Sequence, residues 1–151
     1  MSEPASNMEV KKIDTVLMVD DNSVDNFNNV ILLKKADLAS EIIVHQNGRD
    51  ALSFLSNLYK KNIKCPSLIF LDLYMTGVDG FEVLKEFNSM DFNFIKNTIL
   101  IILTNSAEPD AIIRLKEQGN FHYLYIRKPL RMDNLFDIHH KYFRSDQLFF
   151  E

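Results

Sequence analysis

The stretch 68-LIFLDLYMTGVDGF-81 changes character abruptly at Asp72. The four residues before this acid are apolar, and a continuous aliphatic run of that length is typical of a parallel strand that is covered on both faces. Gly77 and Gly80 follow the acid and indicate a turn. The pattern therefore predicts a buried strand that ends in a carboxylate, at the rim of a core.

Short apolar runs of this kind recur along the chain, and segments with helical spacing separate them. Parallel strands need crossover connections, so five strands that alternate with five helices predict a doubly wound α/β domain of (βα)5 type. Its five-stranded parallel sheet should carry helices on both faces, connected by right-handed crossovers. The predicted strands are residues 16–19, 42–44, 68–71, 99–103 and 123–126.

The predicted helices have apolar residues three and four positions apart, and several begin at good capping residues. Asn22 or Ser23 suits the N-cap of the first helix, and Asp79 suits that of the third. Pro109 suits the first turn of the fourth. The apolar positions of the five helices span residues 24–31, 51–58, 81–87, 112–115 and 135–142.

Length and charge narrow the class of protein. With 151 residues the chain is long enough for one domain with a substantial core. Its net charge of −4, without a basic run, argues against nucleic acid and membrane surfaces as partners, because both need a basic face. A single cysteine, Cys65, excludes an intramolecular disulfide and a multi-cysteine metal site.

The termini and the hydropathy pattern indicate a cytoplasmic protein. No apolar run approaches the roughly 20 residues of a membrane span, and residues 1–13 lack the apolar block of a secretory signal. We expect a polar tail over residues 1–14, one domain over residues 15–144 and a C-terminal tail over residues 145–151.

Polar side chains follow four of the predicted strands at the point where each strand ends. Asp20 and Asp21 come after the first run, Asp72 after the third, Thr104 after the fourth and Lys128 after the fifth. In open parallel sheets these carboxyl ends form the binding edge, so the five side chains should converge. Three clustered carboxylates need a counter-charge, and hard oxygen ligands without Cys or His favour Mg²⁺ over zinc.

This set of groups suits phosphoryl transfer to a carboxylate. Such a reaction needs a nucleophile, a metal that neutralises the transferring group, and donors for the remaining oxygens. Asp72 is the best candidate nucleophile, while Asp20 and Asp21 are placed to hold the ion. Each residue alone also has a simpler interpretation, as a helix cap, a strand-end hydroxyl or a solvated lysine, and only their common register favours a site.

Four motifs in the same order resemble the receiver domain of two-component response regulators, the CheY-like family. They are VDDN at 19–22, LIFLDLYMTGVDGFEVL at 68–84, ILT at 102–104 and IRKP at 126–129. The resemblance covers residues 15–144, nearly the whole chain. It implies a flavodoxin-like fold with strand order 2-1-3-4-5, a bound Mg²⁺ or Mn²⁺, and a histidine kinase or histidine phosphotransfer protein as phosphoryl donor.

The resemblance also implies a role for each matching residue. Asp72 takes the place of the phosphoacceptor, and Asp20, Asp21, Asp72 and the backbone carbonyl of Tyr74 take the places of the metal ligands. Thr104 and Lys128 correspond to the phosphate-binding residues, Tyr125 to the aromatic switch, and Pro129 to a cis-proline.

The function that follows is a phosphoacceptor signalling module rather than a turnover enzyme. Phosphorylation in this family alters the face formed by the fourth helix, the fifth strand and the fifth helix. Too few residues follow the last helix for an output domain, so we expect a stand-alone regulator that acts by protein contact or by phosphorelay. The downstream protein is unknown, and a monomer and a phosphorylation-dependent homodimer are both compatible with the sequence.

The chain departs from the family pattern at three places. Thr76 stands where proline is usual, a change expected only to loosen the loop. Asn105, followed by Ser106, replaces the small residue usual after the switch hydroxyl, and both are candidates for tuning the site. Tyr74, two residues after the acceptor, is expected to shield an acyl phosphate from water.

Two other functions compete with this interpretation. A degenerate receiver would bind a partner without being phosphorylated, and the departures at Tyr74 and Asn105 keep that reading open. A Mg²⁺-dependent aspartyl phosphatase of the haloacid-dehalogenase type also uses a strand-end aspartate. It places a second acid two residues after the nucleophile on its first strand, and Asn22 occupies that position after Asp20.

Overall fold

The structure is a computed structural model, and it describes residues 10–105 and 123–144. Within these residues the five predicted strands and four of the five predicted helices occur in the predicted order, with one additional short helix before the fourth strand. The elements are β1 (Ile13–Val19), α1 (Ser23–Ala36), β2 (Ala39–His45), α2 (Gly48–Lys60), β3 (Leu68–Asp72), α3 (Gly80–Asn88), α4 (Phe92–Ile95), β4 (Ile99–Thr104), β5 (Tyr123–Arg127) and α5 (Met132–Tyr142).

The strands form one parallel sheet with the order β2-β1-β3-β4-β5. This order confirms the predicted doubly wound fold. It makes β1 and β3 neighbours at the centre of the sheet, with Val19 paired with Leu71. The two acids after β1 and the acid that ends β3 are therefore brought to the same edge.

The sheet is covered on both faces, which explains the continuous apolar runs. Leu17, Ile69 and Leu71 belong to a core cluster shared with α2 and α3. Met18 and Phe70, their neighbours along the strands, belong to a second cluster shared with α1 and α5. Because alternate residues of a strand point to opposite faces, a strand that is buried on both sides carries apolar residues at every position.

The predicted elements differ from the observed ones mainly at their boundaries. β1 begins at Ile13, inside the segment assigned to the polar tail, and β2 begins at Ala39 rather than residue 42. The one-turn helix α4 was not predicted; the Asp91 side chain caps it by accepting from the amide of Asn93. The helix predicted after Pro109 lies outside the described residues.

The first helix was predicted from the spacing of its apolar residues, but different residues form its buried face. Val24 and Phe27 are 64% and 65% exposed. The buried residues are Leu33 and two asparagines, Asn26 and Asn29. The apolar pattern therefore located the helix and not the side that packs on the sheet.

The described residues also bear on the hydropathy pattern and on the single cysteine. No helix within the described residues combines the length and hydropathy needed to cross a bilayer. Cys65 is a free, buried thiol, and burial raises its pKa to about 11. With such a pKa the thiol stays protonated at neutral pH, and a protonated thiol is a poor nucleophile and metal ligand.

Candidate functional site

Three aspartates converge at the carboxyl edge of the two central strands. Asp20 and Asp21 directly follow β1, and Asp72 is the last residue of β3. One carboxylate oxygen from each lies within 4.8 Å of the others. Asp20 and Asp72 are only 4% and 7% exposed, whereas Asp21 is exposed to solvent. The predicted acidic cluster is therefore present, half buried in the sheet edge.

Two asparagines hold Asp20 in place, one in the loop between β1 and α1 and one on α1 itself. The amide N–H of Asn22 donates to Asp20 Oδ1 at 3.0 Å, and the Asn26 side-chain amide donates to the backbone oxygen of Asp20 at 2.7 Å. Asn22 also caps α1, because its Oδ1 accepts from the amide of Asp25. The predicted cap thus helps to orient a site residue, and the buried Asn26 explains why this helix turns a polar face to the sheet.

Thr76 holds Asp21 in place, contrary to the expectation that it only loosens the loop. Its backbone N–H donates to Asp21 Oδ2 at 3.0 Å, and its hydroxyl lies 3.4 Å from the same oxygen. A proline at this position has neither donor. The threonine therefore ties the loop after β3 to one of the predicted metal ligands.

Gly80 allows α3 to begin directly against the end of β3. A Cβ at this glycine would lie 2.2 Å from the backbone oxygen of Asp72 and 2.5 Å from the Cα of Leu73. The Gly80 amide donates to the Leu73 oxygen at 2.8 Å, and the Asp79 side chain caps α3 by accepting from Glu82 N–H. This close approach places the loop that carries Tyr74 and Thr76 over the acidic cluster's edge of the sheet.

Lys128 is the cation of the site. It follows β5, its backbone N–H donates to the Thr104 oxygen at 2.8 Å, and its peptide bond to Pro129 is cis. The ammonium Nζ lies 2.8 Å from Asp20 Oδ2 and 3.8 Å from Asp72 Oδ2. The side chain is only 8% exposed, so these charges interact with little screening by water.

Asp25 is a fourth carboxylate that sequence reasoning missed. Its Oδ2 lies 3.0 Å from Lys128 Nζ, and its side chain is 34% exposed. Acids are common in the first turn of a helix, where they interact favourably with the dipole, so its position on α1 carries no special signal. Only the position of Lys128, more than a hundred residues away in sequence, reveals the contact.

The electrostatic environment shifts the pKa of two site residues in the same direction for different reasons. Burial, and then the neighbouring charge of Asp20, raise the pKa of Asp72 to about 6, although Lys128 and the Tyr74 N–H act against this. Burial alone would lower the pKa of Lys128, but its hydrogen bonds to Asp20 and Asp25 raise it above the ordinary value. Lys128 therefore remains charged, and any added positive charge near Asp72 would stabilise its ionised carboxylate.

The remaining predicted residues surround this cluster at different distances. Thr104 ends β4 and is fully buried, and Tyr125 of β5 is partly buried against the core cluster of the α2 side. Asn105 is exposed, and its backbone oxygen accepts from Arg127 Nε. Tyr74 is 47% exposed and packs edge to face on Phe81 at 5.8 Å. Ser106 lies outside the described residues.

The donor set fits a hard divalent cation. The group consists of carboxylates alone, with one oxygen from each of Asp20, Asp21 and Asp72 within reach of a common ion. Mg²⁺ prefers such oxygens and is typically bound by one or two carboxylates together with water and phosphate. Among the residues that the structure describes, the carboxylates of Asp20, Asp21, Asp25 and Asp72 outnumber the one ammonium at the site, that of Lys128, so the site has excess negative charge that a divalent ion would reduce.

Sequence and structure comparisons agree with this geometry. The response regulator receiver domain family matches residues 16–140. The response regulator Rcp1 of Synechocystis sp. is 31% identical over 99 residues, which cover 65% of this chain and 66% of the relative. Sporulation initiation phosphotransferase F of Bacillus subtilis is 32% identical over 96 residues, which cover 64% of this chain and 68% of the relative.

A solved structure shares the same architecture. The two-component response regulator from Cytophaga hutchinsonii superimposes with a TM-score of 0.74 at 28% identity, covering 87% of this chain and 97% of that structure. The family match extends over well more than half of the sequence, and it includes the three strand ends that carry the acidic cluster and its lysine. The chain therefore belongs to the response regulator receiver domain family of two-component signalling.

Proposed function

We propose that the protein accepts a phosphoryl group on Asp72, from a phosphohistidine of a histidine kinase or phosphotransfer protein, in a Mg²⁺-dependent step. The observation that carries this proposal is the convergence of Asp20, Asp21 and Asp72 within 4.8 Å, with Lys128 Nζ 3.8 Å from Asp72. The name of the Bacillus subtilis relative, a phosphotransferase, agrees with group transfer.

The proposed chemistry uses the carboxylate of Asp72 as the nucleophile. One of its oxygens attacks phosphorus, a P–O bond forms, and the P–N bond to the donor imidazole breaks as the imidazole leaves. A pKa of about 6 keeps Asp72 mainly ionised at neutral pH, so no base is needed. The product is an acyl phosphate on the protein.

Two residues of this chain are placed to receive the phosphoryl oxygens. Lys128 supplies a buried ammonium, and Thr104 supplies a hydroxyl at the end of the adjacent strand β4. A bound Mg²⁺, held by Asp20, Asp21 and Asp72, would supply neutralisation of the developing charge. Lys128, Thr104 and the acids already lie at the same edge of the sheet before the donor protein arrives, so the step needs only local movements of these side chains.

A protein donor needs a docking surface beside the site, and α1 offers one. Val24 and Phe27 are 64% and 65% exposed, on the helix whose first turn carries Asp25. Exposed apolar side chains grouped next to a reactive centre are typical of protein interaction sites. We assign this face of α1, defined by Val24 and Phe27, as the donor-binding face.

The output is proposed to involve Thr104 and Tyr125. Thr104 is buried at the site, and Tyr125 lies on β5, the strand that is paired with Thr104's own strand. Movement of the hydroxyl toward a phosphoryl group would change the space available to the tyrosine ring, and two packings of that region would have different populations before and after phosphorylation.

The decisive experiment measures phosphoryl transfer directly. The protein is incubated with Mg²⁺ and acetyl phosphate, and its intact mass is followed for the parent, Asp72→Asn and Asp79→Asn. Asp79 is a matched control because it lies on the same loop, caps α3 through its side chain, and asparagine is an equally good cap. The parent and Asp79→Asn should gain one phosphoryl group, and Asp72→Asn should gain none.

Two results would contradict the proposal. A parent that gains no phosphoryl mass would favour the degenerate receiver, which binds partners without phosphorylation. An equal gain in Asp72→Asn would move the acceptor to another residue. Repeating the reaction with excess chelator in place of Mg²⁺ tests the metal requirement, and an unchanged rate there would exclude it.

A further inference from the structure

The ammonium of Lys128 is held away from Asp72 by two other carboxylates. Nζ makes hydrogen bonds to Asp20 at 2.8 Å and to Asp25 at 3.0 Å, whereas Asp72 lies at 3.8 Å, beyond hydrogen-bond distance. The lysine that should meet a phosphoryl group on Asp72 is thus already engaged elsewhere. To reach that group it must weaken at least one of these contacts.

The contact with Asp25 is the less costly one to break. The Asp20 side chain is only 5% exposed. If the ammonium left, a buried carboxylate would remain without a compensating charge, which is strongly destabilising. The Asp25 side chain is 34% exposed, so water can replace the ammonium. Lys128 should therefore keep Asp20 and release Asp25 when it turns toward Asp72.

A purely structural role does not account for the geometry of Asp25. Asp50 occupies the equivalent third position of α2. In both helices the backbone N–H of the acid donates to the side-chain oxygen of the capping asparagine, which is Asn22 in α1 and Asn47 in α2. Yet the Asp50 carboxylate bonds its own capping residue, Asn47, whereas the Asp25 carboxylate is directed to Lys128. The helix dipole explains an acid at this position, and only the lysine explains where the carboxylate points.

We propose that Asp25 is a positioning residue that restrains Lys128 in the unphosphorylated protein and competes with the phosphoryl group for it. This proposal rests on the proposed function of Asp72. Asp25 lowers the fraction of molecules in which Lys128 is free to bind a phosphoryl oxygen, and it lowers the apparent affinity for that group by the same fraction. It thereby sets the balance between the resting and the phosphorylated arrangement of the site.

The restraint itself is tested without any phosphate analogue. In ¹⁵N-labelled protein, the exchange of the Lys128 ammonium protons with water is measured by NMR for the parent, Asp25→Asn and Asp50→Asn. Asp25→Ala serves as a second variant that removes the acceptor entirely. Exchange should be severalfold faster in both Asp25 variants and unchanged in Asp50→Asn. Equal exchange in the parent and the Asp25 variants would overturn the restraint.

The competition is tested with beryllofluoride, a phosphoryl mimic, in the presence of Mg²⁺. Its dissociation constant should be about three- to fivefold lower in Asp25→Asn than in the parent, the size expected for releasing one partly exposed ion pair, and unchanged in Asp50→Asn. An unchanged or higher constant in Asp25→Asn would overturn the competition. If the parent itself bound no beryllofluoride, the proposed function of Asp72 would fail, and proton exchange would still decide the restraint.

Discussion

At the scale of single residues, Thr76 shows how a departure from a family pattern can add a contact. The sequence predicts that threonine in place of the usual proline only loosens the loop, because Gly77 and Gly80 remain. The structure adds a contact that this prediction does not include. The N–H that a proline would lack donates to Asp21 at 3.0 Å. Hydrogen bonds to ligating carboxylates orient them for metal binding.

Replacing Thr76 with proline should therefore weaken Mg²⁺ binding. Thr76→Pro removes both donors and should raise the dissociation constant for Mg²⁺ by about tenfold, the lower end of the effect of losing an outer hydrogen bond. Thr76→Val is the matched control, because it keeps the N–H and removes only the hydroxyl at 3.4 Å. Calorimetric titration of both variants measures the constants. Equal values for the proline variant and the parent would contradict the role of the N–H.

At the scale of helices and strands, the sequence located most elements and several of their caps. Asn22 and Asp79 cap α1 and α3 as predicted, because such caps depend on residues adjacent in sequence. The buried face of α1 could not be predicted in this way. Asn26 is buried because it bonds the backbone of Asp20, and this reason exists only once the site loop is folded.

The packing of α3 against β3 should tolerate no side chain at Gly80. An added Cβ would lie 2.2 Å from backbone of the strand, so Gly80→Ala must displace the helix, and we expect a loss of about 2 kcal/mol or more in the free energy of unfolding. Gly77→Ala is the control. Gly77 has φ +76° but open space around a Cβ, so the cost there should be only about 1 kcal/mol. Urea denaturation of both variants measures the difference, and equal losses would contradict the close approach.

The donor-binding face of α1 should matter only for protein donors. Phe27→Ala should slow phosphorylation by a histidine kinase or phosphotransfer protein that is active on the parent, by about tenfold, and leave phosphorylation by acetyl phosphate unchanged. Its thermal stability should also change little, because the ring is 65% exposed. Phe92→Ala is the matched control, since Phe92 is 72% exposed on α4, which precedes β4 and lies at the opposite edge of the sheet.

Two results would exclude the assignment of this face of α1 as the donor-binding face. If Phe27→Ala slowed both donors equally, the ring would act on the site rather than on docking. If Phe92→Ala slowed the protein donor as much as Phe27→Ala does, exposed aromatic area in general would explain the effect, and α1 would have no special role.

At the scale of the whole molecule, the strand order decides which side chains meet at the edge of the sheet. The order β2-β1-β3-β4-β5 makes β1 and β3 neighbours and so brings Asp20 and Asp21 to Asp72. Sequence reasoning anticipated this because the acids directly follow apolar runs, a signal that is local. The Asp25–Lys128 contact joins residues from α1 and the end of β5, and no local signal marks it.

The charge of Asp72 should make the metal-free protein less stable as the pH rises. The carboxyl has a pKa of about 6 in the folded protein, above the ordinary value of 3.8, so the folded state holds its proton more tightly than the unfolded state. Stability should be highest, as far as this group is concerned, below about pH 4. It should fall as the pH rises from 4 to 6, and this loss should be complete above pH 6.

Asp72→Asn removes this dependence because the amide does not ionise. In chelator, the variant should match the parent near pH 4 and melt several degrees higher at pH 7, since about 1 kcal/mol corresponds to roughly 2–4 °C for a domain of this size. Mg²⁺ should reverse the order, because a ligand that binds only the folded state raises its melting temperature and the parent binds it better. Melting curves from pH 4 to 8 measure both effects, with Asp50→Asn as a control that keeps the parent's slope. The melting temperature could instead change with pH between 4 and 6 to the same extent in the parent and in Asp72→Asn. That result would show that the acidic cluster carries no uncompensated charge in the absence of metal.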